Sequence, residues 1–409
     1  MWFEHLQKRL DDLAAHDLTR RLRVAETGTA PHQRVRGADG QARELLMFCS
    51  NDYLGLAAHP ALAAALAEGA QRWGGGSGAS PLVSGHSAAH AAVSAWLGEA
   101  FRPHIPEARA LGFCTGYMAN LGVVTALGDA DAELFCDQLN HASLIDGARL
   151  ARARITRYPH ADTAALAGLL ASSAAPRKLI VTDGVFSMDG DIAPLRELLA
   201  LAEAHDALLV VDDAHGFGVL GEGGLGALQQ AGLSSPRLVL VGTLGKAAGL
   251  AGAFVVAHAT VTEFLLQSAR NYIFSTAAPP ALEHALLAAL HLIAGPEGRQ
   301  RREAVRDRVV QLRAGVLALL ARHPGLAWRL LDSSTPVQAL VVGGNAEVMA
   351  LSARLEAEGL RVPGIRPPTV PSGTARLRIT LCASHTEADV DRLLQALTAA
   401  AEASEMQAA

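Results

Sequence analysis

The sequence predicts an α/β protein: a large domain with a mostly parallel sheet between helices, followed by a smaller α+β domain. Three observations carry this. Short apolar runs without polar alternation recur at 110–114, 178–183, 207–212 and 238–243, the pattern of strands buried on both faces. Helical stretches such as 117–127 and 194–205 separate them, as parallel strand connections require. After His323-Pro324-Gly325 the pattern changes to shorter strands at 337–342 and 376–381, with helices at 346–358 and 387–401.

In chain order, residues 1–25 read as a charged amphipathic helix, and 44–49 as a short strand after a turn containing Gly37 and Gly40. The alternating α/β pattern then runs to about residue 285. Pro279-Pro280 opens a long helical stretch whose charged patch at 299–313 reads as a solvated face. The expected divisions are 1–50 for an N-terminal helix and strand segment, 51–290 for the large domain and 291–409 for the small one. Alanine-rich stretches are read as helix, since alanine is the best helix former.

The 409 residues are 50% hydrophobic and 18% charged, which excludes a disordered chain. A formal net charge of −5 argues against nucleic acid or an anionic membrane as partner, since both select a positive excess. The four cysteines, Cys49, Cys114, Cys136 and Cys382, form no C-x-x-C pair and write no zinc or thioredoxin-type motif. They read as small apolar residues in a reducing compartment. The first ten residues lack the apolar stretch of a secretion signal, and no run of about 18 apolar residues occurs. The expectation is a soluble, cytoplasmic protein with no metal site.

In an open α/β sheet, ligands bind beyond the carboxyl ends of the strands. The residues that follow the apolar runs are polar: Thr115-Gly116-Tyr117, Asn140-His141, Asp183 to Ser187, Asp212-Asp213-Ala214-His215 and Thr243-Leu244-Gly245-Lys246. Of 35 basic residues only Lys8, Lys178 and Lys246 are lysine. Lys246 lies in an almost uncharged stretch, where burial would lower its pKa and make it an amine nucleophile for an aldehyde. A phosphate-binding or snorkelling lysine is the alternative. Asp212 ends an apolar strand, where a carboxylate is costly without a partner. It reads as a helix cap, an ion-pair partner, or the carboxylate that keeps a pyridine nitrogen protonated. Together the two residues point to pyridoxal 5'-phosphate (PLP). Gly116 and Tyr117, at a strand-to-helix turn, offer backbone N–H groups suited to its phosphate, and Thr243 offers a hydroxyl; an ordinary N-cap and turn is the alternative for both. His141 and His215 follow strands and face the same rim, as stacking or hydrogen-bonding groups or as structural histidines.

Gly221-Glu222-Gly223-Gly224-Leu225-Gly226 matches G-x-G-x-x-G but does not directly follow a strand, which argues against a nicotinamide site. The glycine run at 74–78 lacks the Gly-Lys-Ser/Thr of a phosphate-binding loop and reads as a flexible loop.

As a set, the stretches Ser50-Asn51-Asp52-Tyr53-Leu54-Gly55-Leu56, Gly116-Tyr117-Met118-Ala119-Asn120, Asn140-His141-Ala142-Ser143-Leu144, Gly184 to Asp191, Asp212-Asp213-Ala214-His215-Gly216 and Gly242-Thr243-Leu244-Gly245-Lys246 resemble the α-oxoamine synthases. These are PLP enzymes of the aspartate-aminotransferase-like fold type I that condense an amino acid with an acyl thioester and release carbon dioxide. The resemblance implies that Lys246 carries the cofactor and moves the substrate proton. It implies that Asp212 partners the pyridine nitrogen, that His141 stacks on the ring, and that His215 and Ser187 contact its substituents. Gly116, Tyr117 and Thr243 would hold the cofactor or its phosphate. Arg366 and Asn51 match positions that hold the amino-acid carboxylate. Thr369 and Arg20, in a register shared with Arg21, match positions associated with the acyl substrate. Ser275, with Thr276, matches a segment that reaches the neighbouring subunit's phosphate, which implies a homodimer with shared sites. The run Ile365 to Pro371 followed by Gly373 to Arg378 is most similar to family members that join L-alanine to a pimeloyl thioester on acyl carrier protein or coenzyme A. Residues 140–147 resemble a glycine-using member as closely. Ser80-Pro81 departs from the family in carrying proline. Retention of Lys246 and Asp212 argues against a silent homologue.

Overall fold

The computed structural model describes residues 1–16, 18–37 and 39–408. Its centre is a seven-stranded sheet whose strands in chain order are β1 (Ala108–Phe113), β2 (Ala132–Asp137), β3 (Arg154–Tyr158), β4 (Arg177–Asp183), β5 (Ala207–Asp212), β6 (Leu238–Thr243) and β7 (Ala253–His258). The spatial order is β1-β7-β6-β5-β4-β2-β3. The neighbours β6, β5, β4, β2 and β3 are parallel, while β7 runs antiparallel to both β6 and β1. The carboxyl ends of β1, β2, β4, β5 and β6 therefore share one rim.

The unalternated runs have a simple cause: both faces of each strand are covered. In β5, Leu209 and Val211 belong to one apolar cluster with Phe254 and Leu286, while Val210 belongs to another with Val123, Leu144 and Val255. Each such side chain, fully buried, contributes about 1.5–3 kcal/mol of transfer free energy. The edge strand β3 lacks this pattern because most of its residues face solvent.

The C-terminal part holds a four-stranded antiparallel sheet of Arg329–Leu330, Val337–Gly343, Ala375–Thr380 and Gly364–Ile365. It packs with the helices Pro296–Arg322, Asn345–Ala357 and Glu387–Ala408 around Leu312, Leu355, Leu377 and Leu397. The N-terminal strands join this core. Leu46 pairs in parallel with Leu360, and both Leu46 and Phe48 lie in its apolar cluster. Helix Trp2–Ala15 contains no buried residue. No described helix is long and apolar enough to cross a membrane.

The glycine-rich stretch 221–226 is structural. Gly226 has φ +85° and ψ −156°, a region essentially restricted to glycine. A Cβ there would lie 1.8 Å from the Asp213 carboxylate, which accepts the Ala227 N–H at 2.7 Å. Gly226→Ala is expected to destabilise the fold by at least about 1–3 kcal/mol, read as a lowered denaturant midpoint, whereas the open position Gly28→Ala changes it little.

Candidate active site

Lys246 stands in the hairpin loop between β6 and β7. The loop is closed by backbone bonds from Leu244 to Gly252 at 2.9 Å and from Gly249 to the Lys246 carbonyl at 2.9 Å. Its amine projects into a cavity of about 190 Å³ lined by Gly116, Tyr117, Asn120, His141, Ser143, Asp183, Asp212, Ala214, His215, Thr243 and Lys246. Seven of these were expected from the sequence. Strand ends supply them: β1 leads to Gly116, β2 to His141, β4 ends at Asp183, β5 at Asp212 and β6 at Thr243.

Burial is the main influence on Lys246, opposed by the Asp212 charge and aided by Arg378. Its amine is pulled down to about 8. The ammonium is disfavoured where desolvation is strong, so a reactive neutral amine is available near neutral pH. Lys246 Nζ lies 2.9 Å from His215 Nε2, and His215 Nδ1 lies 2.6 Å from the Tyr53 hydroxyl. Burial, with the Lys246 and Arg378 charges, holds His215 well below the usual histidine range. The neutral ring can therefore accept from the amine. Because the neutral fraction of Lys246 grows as pH rises to its pKa, the rate at which cofactor-free protein captures an added aldehyde is expected to rise about tenfold per unit below pH 8. It levels above that, a profile read by stopped-flow absorbance.

Asp212 is held from two sides. Asn120 Nδ2 donates to Oδ2 at 2.6 Å, and the Ala214 N–H donates to Oδ1 at 3.0 Å. Parallel register places Asp183 directly beside it on β4. Asp183 is buried and, with the Asp212 charge beside it, raised well above the usual carboxylate range. Its Oδ2 accepts the His141 N–H at 2.8 Å, which fixes the start of the helix Ala142–Leu150. Burial lowers the His141 imidazole, opposed by Asp212.

The helix Gly116–Leu127 starts at the cavity with Thr115 as N-cap, its hydroxyl accepting from the Met118 N–H at 3.2 Å. A Cβ at Gly116 would lie 3.7 Å from Thr243 Cβ, so the glycine leaves open the gap between the helix N-terminus and β6. The Thr243 hydroxyl donates to the Gly252 carbonyl at 3.2 Å. The Tyr117 hydroxyl donates to Asp146, holding that side chain at the surface.

Other expected residues lie at the margins. Asn51 Oδ1 accepts from the Tyr53 hydroxyl at 3.1 Å and from Arg378 at 3.2 and 3.3 Å. Ser187 and Thr369 line a separate small recess with Phe186 and Asp189. Arg378 connects that recess to the rest, since its Nε donates to the Ser187 carbonyl at 2.6 Å. Arg366 is half-buried just past the strand Gly364–Ile365. Arg20 is exposed in the coil after the first helix and does not line the Lys246 cavity. Ser275 lines a larger cavity of about 560 Å³ with His90, Cys114, Met118, Tyr272 and Glu283. Asn120, Ser143, Asp183, Tyr53 and Arg378 were not expected. Arg376 and Arg378, two apart on one strand, share a face, and that spacing was a usable signal. Leu377 and Ile379, facing the other way, belong to the apolar core.

The cavity fits PLP. A buried amine and a carboxylate share it, a helix N-terminus opens on it without a Cβ in the way, and the buried Asn120 Oδ1 has no partner there. The described residues contain no cluster suited to a metal ion.

The sequence profile of the class I and II aminotransferases matches residues 43–397. The chain belongs to that family, and its architecture is that of the fold-type I PLP enzymes. Several relatives of about 60% identity carry one particular name. The 8-amino-7-oxononanoate synthase of Cupriavidus taiwanensis is 64% identical over 400 residues, 98% of each chain. That of Leptothrix cholodnii is 60% identical over 405 residues, 98% of this chain and 99% of that one. Among solved structures, the serine palmitoyltransferase of S. paucimobilis, carrying a PLP adduct of myriocin, is 29% identical with a TM-score of 0.87 over 98% of each chain. The 8-amino-7-oxononanoate synthase of Francisella tularensis is 28% identical with a TM-score of 0.74, covering 89% of this chain and 99% of that one.

Proposed function

We infer that this chain is a PLP-dependent C-acyltransferase with 8-amino-7-oxononanoate synthase activity, condensing L-alanine with a pimeloyl thioester on acyl carrier protein or coenzyme A, a step of biotin biosynthesis. The observation that carries the reading is a buried Lys246 amine, pulled down to about 8, in one cavity with Asp212, in a chain 64% identical to a relative of that name. It acts as a cytoplasmic homodimer with shared sites, Ser275 serving the partner's cofactor.

Lys246, Asp212, His141, His215, Ser187, Gly116, Tyr117 and Thr243 hold the cofactor in this reading, which when bound supplies an aldehyde for amine capture and an electron sink for charge at the substrate α-carbon. Lys246 Nζ removes and returns the proton at that carbon. His215 Nε2, 2.9 Å away, accepts from the amine and keeps its lone pair directed. Arg378 forms no ion pair among the described residues, while its guanidinium reaches Asn51. That buried cation is suited to the amino-acid carboxylate, beside the expected Asn51 and Arg366. Thr369 and Arg20 bear on the acyl chain. The α-carbon bonds to the thioester carbonyl carbon, the thiolate leaves, and the carboxylate departs as carbon dioxide. Holding both reactants in one enclosed site supplies much of the acceleration.

Incubating purified protein with PLP, L-alanine and pimeloyl-coenzyme A, then reading the product mass, tests the assignment. The mass of 8-amino-7-oxononanoate is expected. Thiol release without that product would overturn it.

A further inference from the structure

Asn120 is buried at 1% exposure inside the mostly apolar helix Gly116–Leu127, and its role is set by where its two amide hydrogens go. One goes to Asp212 Oδ2 at 2.6 Å and the other to Ser143 Oγ at 2.8 Å. The orientation is forced, because the flipped amide would place its oxygen against a carboxylate oxygen at the same distance. Ser143, fully buried, takes its position from the first turn of the helix Ala142–Leu150. Its hydroxyl accepts from Asn120 and so has its own hydrogen free for His141 Nδ1, 2.7 Å away. The Ser143 N–H reaches the same nitrogen at 3.3 Å. His141 Nδ1 thus faces two donors, and a ring nitrogen that accepts carries no proton.

We propose that Asn120 and Ser143 are positioning residues: one amide anchors the Asp212 carboxylate and, through the Ser143 hydroxyl, fixes His141 in the tautomer with its single proton on Nε2. Two groups on different strand ends are thereby oriented as one unit, with Nε2–H presented to whatever fills the cavity. Hydrogen bonds that fix a metal ligand from behind typically carry about a 10- to 100-fold effect on affinity or activity, and the same scale is expected for these cofactor-facing groups. The lowered histidine agrees with this arrangement, since a neutral ring is needed for Nδ1 to accept. The inference rests on reading Asp212 and His141 as cofactor-facing groups, and it is independent of which amino acid is the substrate.

The test is the 15N spectrum of histidine-labelled, full-length protein as purified with its cofactor, the His141 signals being assigned by their loss in His141→Gln. The wild type is expected to show the Nε2–H pattern. Ser143→Ala is expected to populate the Nδ1–H tautomer, and Ser143→Thr, which keeps the hydroxyl, to restore the wild-type pattern. Asn120→Leu is expected to raise the Kd for PLP about tenfold in equilibrium dialysis. A proton on His141 Nδ1 in the wild type, or an unchanged pattern in Ser143→Ala, overturns the proposal. Should Asn120→Leu fail to fold, the Ser143 pair decides alone. A wrong substrate assignment leaves these signals untouched, so the two failures are distinguishable.

Discussion

Lys246→Ala is expected to lower turnover by about 10²- to 10⁴-fold, the range for loss of a positioned proton-transferring group, while leaving the fold intact. The bonds that shape its loop are backbone ones, from Gly249 to the Lys246 carbonyl and between Leu244 and Gly252, and alanine keeps them. Borohydride treatment of the PLP-loaded wild type is expected to fix the cofactor's mass on the peptide carrying Lys246. The variant is expected to show no such peptide. Lys246→Arg gives the same loss, because a guanidinium with a pKa above about 12 neither captures an aldehyde nor takes a proton. Undiminished adduct in Lys246→Ala would place the reactive amine elsewhere, and the alternatives are few: the Met1 amino group, Lys8 on an exposed helix and Lys178 at the entrance of β4.

Asp212→Asn is expected to cost about 10²- to 10³-fold in kcat, the scale for removing one preorganised electrostatic group. It keeps the shape and deletes the charge. The Asn120 amide would then meet either a weaker acceptor or another amide hydrogen in place of the carboxylate oxygen it now touches at 2.6 Å. A second signature separates this from general damage. The Asp212 charge raises the Lys246 pKa, so removing it drops the amine below its present value of about 8. The pH profile for aldehyde capture therefore moves to lower pH in Asp212→Asn. Asp183, raised partly by its charged neighbour, relaxes downward at the same time. A variant with reduced turnover and an unmoved profile would contradict the pairing of Asp212 with Lys246.

Much of the architecture was legible because burial writes itself into composition. Strands covered on both faces become apolar runs, and the polar residues that end them collect on one rim, which is how Lys246, Asp212, His141 and Thr243 could be named before any geometry. In the central sheet, two strands escaped this reading for physical reasons. β3 is an edge strand with exposed positions, so its sequence does not form an apolar run. β7 is a hairpin return directly after the Lys246 loop, which strand-helix alternation does not announce. The supporting residues were hidden for a different reason. Asn120 acquires its role from Asp212, 92 positions away, and Arg378 from Asn51, 327 positions away. Contacts of that range depend on packing, for Arg378 and Asn51 the joining of residues 42–48 to the C-terminal core through Leu46 and Leu360. The glycine-rich motif at 221–226 shows the opposite hazard, since Gly226 answers to the Asp213 carboxylate, Gly221 and Gly223 to the Gln229 side chain and Gly224 to Arg302.

The central claim is that the Lys246 site joins L-alanine to a pimeloyl thioester. It is tested most directly by carbon dioxide release from purified, PLP-loaded protein across a matrix of alanine, glycine and serine against pimeloyl, acetyl, succinyl and palmitoyl thioesters. The largest kcat/KM is expected for alanine with the pimeloyl thioester. A larger value for glycine with acetyl-coenzyme A or for serine with palmitoyl-coenzyme A, or no release from any pair, would contradict the account.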